Sequence, residues 1–377
     1  MKLAVLGAGH GGFATAADLA LAGHHVRLWS RSPDALGPLV ERATITLEAE
    51  GRHGTARLER ATTDLAEAVE GAEILIAPLP ATSHEDLARR LAPYLNDRQL
   101  VLLTPGTLGS YAMARTIARA DGTLPLAFAE TGTLPYLARK TAPTVVKAPV
   151  RAANLPVGVF PASRSAGVLP RLAELFAAVR PCVDALDVAL TNAGPVIHPP
   201  LVLLNAAAIE RGRFDIHAGG TTVSAQRLID AVDAERLAAR AGWGYPAPHY
   251  ELATYYDERR AAEGLYGAGA RAKLEASGLW NETLTLEHRY VTEDAALGLS
   301  LLESAARTVT LDSPAISGLL LVFGTLIFSP RLITLAVALR DLRRWRERRL
   351  IDRPRRSGGP DRAALSSSGA APRNRTR

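Results

Sequence analysis

Apolar positions follow two rhythms along this chain. In the first half, short apolar runs alternate with stretches of helical composition. Lys2–Leu6, His25–Trp29, Ile74–Ala77, Leu100–Leu103 and Leu126–Phe128 read as short buried strands, and Gly11–Ala22 and Ser83–Leu95 as helices between them. Strands alternating with helices predict a parallel sheet covered on both faces. From Thr141 to Pro161 the chain sets Pro143, Pro149, Pro156 and Pro161 among short β-type runs, Thr144–Val146 and Val157–Phe160, which predicts a trailing antiparallel edge to that sheet. Leu169–Val179 reads as a helix. From about Ala185 to Leu339 the segments become long, Ala- and Leu-rich, and punctuated by Gly and Pro, as expected of a mostly helical domain. The predicted organisation is α/β: a doubly wound sheet domain over residues 1–182, a mostly α-helical substrate domain over 183–345, and a basic tail over 346–377. The tail has little to bury and is expected to be disordered.

Composition narrows the class. At 377 residues the chain fits about two domains. With 47% hydrophobic and 22% charged residues it is neither disordered nor unusual for a globular protein. Cys182 is the only cysteine, which excludes a disulfide scaffold and agrees with a reducing, cytoplasmic setting. The net charge of +6 is misleading, because Arg340–Arg377 alone holds 13 arginines against 4 acids and the body is slightly acidic. A basic tail on an acidic body does not predict a nucleic-acid partner, and aromatic residues, at 5%, do not suggest a base-stacking surface. Leu3–Leu6 is too short for a secretory signal. Ala315–Phe328, at 14 residues, is too short to span a membrane, which takes about 20. With Leu332–Leu339 it is expected to form two packed core helices. The nine histidines include no HxxxH or HxH pair, so no metal site is predicted.

The sharpest local signal is Gly7-Ala8-Gly9-His10-Gly11-Gly12, a G-x-G-x-x-G at Gly7, Gly9 and Gly12, set between a predicted strand and a predicted helix. The first glycine allows the tight turn, the second lets backbone approach a pyrophosphate, and the third permits close helix–strand packing. The helix N-terminus, with His10 in the turn before it, offers unpaired N–H groups to phosphates. This context predicts a Rossmann-type dinucleotide-binding domain. The end of the second strand reads Trp29-Ser30-Arg31-Ser32, with no acid at the strand end. Ser30 and Arg31 suit a 2′-phosphate, so NADP(H) is favoured over NAD(H). The alternative is that Arg31 is solvated and Asp34 reaches the ribose. Thr104-Pro105-Gly106 and Glu130-Thr131 stand at the ends of later strands, where such sheets bind ligands, and are candidates to touch the nicotinamide half.

In the second domain the residues become distinctive. Asn192-Ala193-Gly194-Pro195-Val196-Ile197-His198-Pro199-Pro200 leads into Leu203-Leu204-Asn205 and Ile209-Glu210, followed later by Arg289-Tyr290-Val291-Thr292-Glu293-Asp294 and Gly298-Leu299. Ala129-Glu130-Thr131-Gly132-Thr133-Leu134-Pro135-Tyr136 and Arg139 join them in the first domain. Together, from Met1 to about residue 320, these resemble the NAD/NADP octopine–nopaline dehydrogenase family, the opine dehydrogenases. Leu319–Leu339 and the arginine tail depart from the family's ending. The resemblance implies a reductive condensation of an amino acid, or another amine, with an α-keto acid to a secondary-amine dicarboxylate. It implies His198 as the general acid/base, Asp294 as its acidic partner and Arg289 as the substrate-carboxylate ligand. From the residues alone other readings stay open. His198 before two prolines suits a helix end, Glu293 rivals Asp294, and Asn192 and Asn205 could position ligand or cap helices. A 2-keto or 2-hydroxy acid reductase working without the amine, or a non-catalytic dinucleotide-binding regulator, are the competing functions. A homodimer is compatible with the sequence but not specified by it.

Overall fold

The structure, a computed structural model, describes residues 1–285 and 287–327. The expected helix at Leu332–Leu339 and the expected disordered tail at 346–377 lie outside the described residues. Strands β1 (Lys2–Leu6) and β2 (His25–Trp29) pair in parallel around the helix His10–Leu21. β3 (Thr44–Ala49) and β4 (Gly54–Arg57) form a hairpin outside the main sheet. β5 (Arg60–Thr62), β6 (Ile74–Ala77), β7 (Leu100–Leu103) and β8 (Ala127–Thr131) return to it, giving six parallel strands in the order β5–β2–β1–β6–β7–β8. The order reverses between β1 and β6, so the crevice beyond their carboxyl ends is where a ligand belongs. Side-chain alternation splits β1 between two cores. Leu3 and Val5 pack with Phe13 on one face, while Ala4 and Leu6 join a core that continues into the helical domain.

After β8 the chain makes β9 (Tyr136–Ala142) and β10 (Val145–Arg151), then β11 (Leu155–Phe160), the helix Ser165–Leu175 and β12 (Val179–Pro181). β11 lies antiparallel on β8, so the run Val157–Phe160 is the antiparallel edge that the sequence predicts. The run Thr144–Val146 is not. It belongs to β10, which pairs with β3 and β9 in a separate four-stranded sheet. That sheet depends on pairing between segments about a hundred residues apart, which periodicity does not register. The helix expected at Leu169–Val179 stops at Leu175, and Val179 begins β12 instead.

Beyond β12 the described chain is largely helical. Gly194–Leu204, the 20-residue helix Val223–Gly242, a π-helical segment Tyr290–Leu299, Ser300–Thr308 and Pro314–Ile327 carry the domain. Two buried arginines on the long helix organise the irregular stretch that follows it. Arg236 donates to Asp233 and to the carbonyls of Leu190, His249 and Tyr250. Arg240 pairs with Asp187 at 2.6 Å and bonds the Pro246 and Pro248 carbonyls. Backbone groups that no helix or strand satisfies are thereby satisfied in the interior. Among the described residues no helix is long and apolar enough to cross a membrane.

Candidate active site

The glycine turn closes over β1 and opens the helix His10–Leu21. Gly7 has φ +133°, and a Cβ on Gly12 would lie 1.8 Å from the Gly7 carbonyl oxygen, so the helix can pack this close only on glycine. A Cβ on Gly9 would meet nothing within 4 Å, which leaves the backbone there open to a bulky ligand. No side chain caps the helix, and its first-turn N–H groups are available to an anion. A dinucleotide's pyrophosphate fits this cradle. Alongside it, Ser30, Arg31 and Ser32 line a pocket with Gly7, Asp86 and Arg90. Asp86 lies 3.6 Å from Arg31 and 2.8 Å from Arg90. Asp34 is not among the lining residues. Two arginines against one carboxylate leave this pocket a net positive charge.

A cleft of about 280 Å³ runs from Gly9 and His10 to the helical domain. Pro78, Pro80, Thr104 and Pro105, at the strand ends, form one wall, and Asn192, His198, His217, Arg289, Tyr290 and Glu293 form the opposite wall. His198 lies inside the helix Gly194–Leu204, not at its end, because the helix runs on through Pro199 and Pro200. Its Nδ1 is 2.7 Å from Asp294 Oδ2. A Cβ on Gly194 would come 2.6 Å from the other Asp294 oxygen, so glycine there lets the two elements meet. Tyr290 stacks on the imidazole, centroids 3.7 Å apart and planes at 17°, and its hydroxyl is 3.3 Å from His217 Nε2. Burial, reinforced by the nearby Arg289 charge, pushes His198 well below the ordinary histidine range. Burial lifts Asp294 to about 6 against the pull of Arg289. His217, also buried, is held at about 3.

Glu293, the rival carboxylate, is engaged elsewhere. One oxygen accepts from Arg289 Nε at 3.0 Å and the other from the Ala81 N–H at 2.8 Å, joining the helical domain to the loop after β6. Among the described residues the terminal amino groups of Arg289 have no hydrogen-bond partner, and its side chain keeps about a third of its surface exposed. A fork left free beside a histidine–carboxylate pair can take a substrate carboxylate while the imidazole exchanges a proton.

Two family models match the chain: "NAD-dependent glycerol-3-phosphate dehydrogenase N-terminus" over residues 2–117, and "NAD/NADP octopine/nopaline dehydrogenase, alpha-helical domain" over residues 181–327. An opine dehydrogenase of Arthrobacter sp. (strain 1C) is 30% identical over 329 residues, covering 86% of this chain and 90% of the relative. The chain belongs to the opine dehydrogenase family. It is an NAD(P)-dependent oxidoreductase of the opine type. The fold agrees with octopine dehydrogenase solved with NADH and agmatine, at TM-score 0.64 and 17% identity over 87% of this chain and 89% of that one. It also agrees with NADP+-bound yersinopine dehydrogenase, at TM-score 0.63 and 16% identity over 92% and 99%.

Set in an opine dehydrogenase fold, the other residues singled out from the sequence divide into two groups. Gly9, His10, Pro105 and Asn192 line the cleft. Asn192 also bonds Thr107 and accepts from the Gly194 N–H, so it caps and lines at once. Gly106, Glu130 and Asn205 are not among the lining residues. A Cβ on Gly106 would overlap Glu130, and Glu130 is fully buried beneath that loop, accepting from the Leu108 N–H and the Ser110 hydroxyl. Burial raises its carboxyl to about 7. Asn205 spends its amide on the carbonyls of Leu201 and Gly220. In both cases the backbone at an element's end takes the polar group that the sequence offers to a ligand. Sequence reasoning missed Arg90, His217, Tyr290 and Trp280. Trp280 lies under the Arg139 guanidinium at 4.5 Å, and Arg139 also pairs with Glu282. Tyr290 adjoins Arg289 in the motif and could have been found there. His217 had no sequence signal.

Proposed function

We propose that this enzyme condenses an α-keto acid with the amine of an amino acid and reduces the product to a secondary-amine dicarboxylate, using NADPH in preference to NADH. The observation that carries the proposal is the His198–Asp294 pair, at 2.7 Å, in the same cleft as the free fork of Arg289. Arg289 takes the keto-acid carboxylate through two parallel N–H···O bonds and so orients the carbonyl carbon. The amine attacks that carbon and water leaves, giving an imine. A bound nicotinamide supplies the hydride that reduces it. His198 carries the proton for the reacting oxygen or nitrogen on Nε2, while Asp294, bonded at Nδ1, fixes the tautomer and stabilises the imidazolium. Burial of His198 and Asp294 shields the bond between them from water, which strengthens it.

Gly7, Gly9 and Gly12 with the following helix would hold the pyrophosphate, and Pro105 and His10 would flank the nicotinamide end. Arg31, with Ser30 and Arg90, supports the preference for a 2′-phosphate, since the pocket they line has excess positive charge. The deciding experiment is a cofactor-oxidation assay with a panel of keto acids, each with and without amino acids, run with NADPH and with NADH. Turnover that requires the amine supports the proposal. Equal turnover without it identifies a keto-acid reductase, and faster turnover with NADH overturns the cofactor assignment.

A further inference from the structure

The proposed product carries two carboxylates, one from the keto acid and one from its amine-bearing partner, and Arg289 answers only one of them. Bringing both anions out of water into one cleft is costly unless each meets a cation. Among the described residues lining the cleft, Arg139 and Arg289 are the only permanent cations. The histidines there do not substitute for them. Burial holds His10 at about 4, His217 at about 3 and His198 well below the ordinary histidine range, so none is a standing positive charge. The Arg139 charge adds to burial at each of the three, which places its guanidinium among them. Arg139 reaches the cleft from β9, and Arg289 from the start of the π-helical segment, so the two arginines belong to different domains. The Arg139 guanidinium is held but not saturated. Trp280 packs against its face at 4.5 Å, and Glu282, which is not among the lining residues, accepts from Nη2 at 2.7 Å. Nη1 has only the Ala138 carbonyl at 3.4 Å, and Nε is buried with no hydrogen-bond partner. A buried donor without a partner is rare in a native fold because of its cost.

We infer that Arg139 binds the carboxylate of the amine-bearing substrate, so that the two arginines receive the two carboxylates of the product, one each. This assignment rests on the condensation proposed above. Glu282 and Trp280 fix the plane of the guanidinium, and its remaining N–H groups donate to the carboxylate oxygens. In an α-amino acid the nitrogen and the carboxylate share one carbon. Holding the carboxylate on β9 therefore directs the nitrogen toward the keto carbon that Arg289 holds beside His198. The arrangement also narrows the substrate class, since a simple amine has nothing to offer Arg139. A purely structural arginine, tying β9 to Glu282, would account for the ion pair but not for its place in the cleft or for the unanswered Nε.

The test sets the most active amino acid of a substrate panel against its own carboxamide (L-alanine against L-alaninamide, for example), with one keto acid and NADPH. The carboxamide keeps the amine and the size and removes the charge. Steady-state kinetics are measured on the wild type, Arg139→Gln and Arg139→Lys, with melting temperature and NADPH binding as checks of folding. Wild-type kcat/KM should favour the acid over the carboxamide by about tenfold or more, the usual worth of a charge-assisted bond. Arg139→Gln should bring that ratio to about one by raising KM for the amino acid, with KM for the keto acid changed by less than about twofold. Arg139→Lys keeps the charge but loses the fork, and its ratio should fall between the two. Comparing ratios cancels both general damage from a substitution and the difference in basicity between the two amines. No wild-type preference for the acid, an unchanged ratio in Arg139→Gln, or a rise in KM for the keto acid alone overturns the assignment while leaving amine-dependent turnover intact. Wild-type turnover that is the same without any amine overturns the condensation itself, and this assignment with it.

Discussion

Burial opposes charge on both His198 and Asp294, and the 2.7 Å hydrogen bond between them makes them one unit. Removing either breaks one unit. His198→Ala or Asp294→Asn should cut turnover by about 10²–10⁴, and the double variant should be little worse than the poorer single one. Steady-state kinetics on folded protein check this, and near-native turnover in His198→Ala would leave the histidine a structural role only. The pair also sets a pH dependence. On the proposed mechanism, oxidation of the secondary amine needs the imidazole free to accept a proton and the carboxylate ionised. With Asp294 raised to about 6, kcat/KM in that direction should fall as pH drops through about 6, and reduction should show the opposite trend. A profile flat from pH 5 to 8 in both directions would contradict it. At the other end of the cofactor site, Arg31→Ala should raise KM for NADPH and leave KM for NADH nearly unchanged. The lost charge-assisted bond is worth roughly 1.5–3 kcal/mol, and an equal effect on both cofactors would remove Arg31 from the 2′-phosphate site.

The π-helical segment Tyr290–Leu299 is the element on which the site depends. In an α-helix, residues five apart point about 140° away from each other. Wider winding draws such positions together, and π turns recur at functional sites. Arg289 and Asp294 stand five apart, at and within this segment, and both act on His198. Glu293 between them ties the segment to the sheet domain through Ala81. Glu293→Gln keeps the shape but loses the charge that orients Arg289. It should raise KM for the keto acid several-fold, roughly 1 kcal/mol or more, with a smaller change in kcat. A change in kcat alone, with KM constant, would show that Glu293 does not act through Arg289.

At the scale of the whole molecule, the two domains are joined by one continuous apolar core. One face of the sheet, through Ala4, Leu6 and Val101, shares a cluster with Val196, Ile229, Val291 and Phe323 of the helical domain. The cleft is therefore held open between elements with a common interior, and its walls are set by the fold more than by loops. The sequence from Ile351 onward is poor in apolar side chains. Truncation after Leu350 should keep turnover in solution and the melting temperature. A loss of several degrees in a thermal melt would show that this stretch packs against the core.

By itself the sequence determined what is local. β1, the glycine turn and its helix are contiguous, so strand, turn and helix chemistry are all visible within about twenty residues. The parallel strands and the helical second half were legible for the same reason, since each has its own apolar period. The order of the motif residues was legible as a resemblance to the family. Tertiary structure alone decided the rest, because it depends on groups far apart in the chain. Glu293 and Asp294 are neighbours with similar chemistry; the resemblance implied Asp294, and the approach of a helix 96 residues away brings it, not Glu293, to His198. Only the fold sends β10 to β3, stacks Tyr290 on His198, and gives Glu130 and Asn205 to backbone groups at element ends. A buried polar group takes whatever partner packing brings within reach, and the one-dimensional pattern carries no record of which partner that will be.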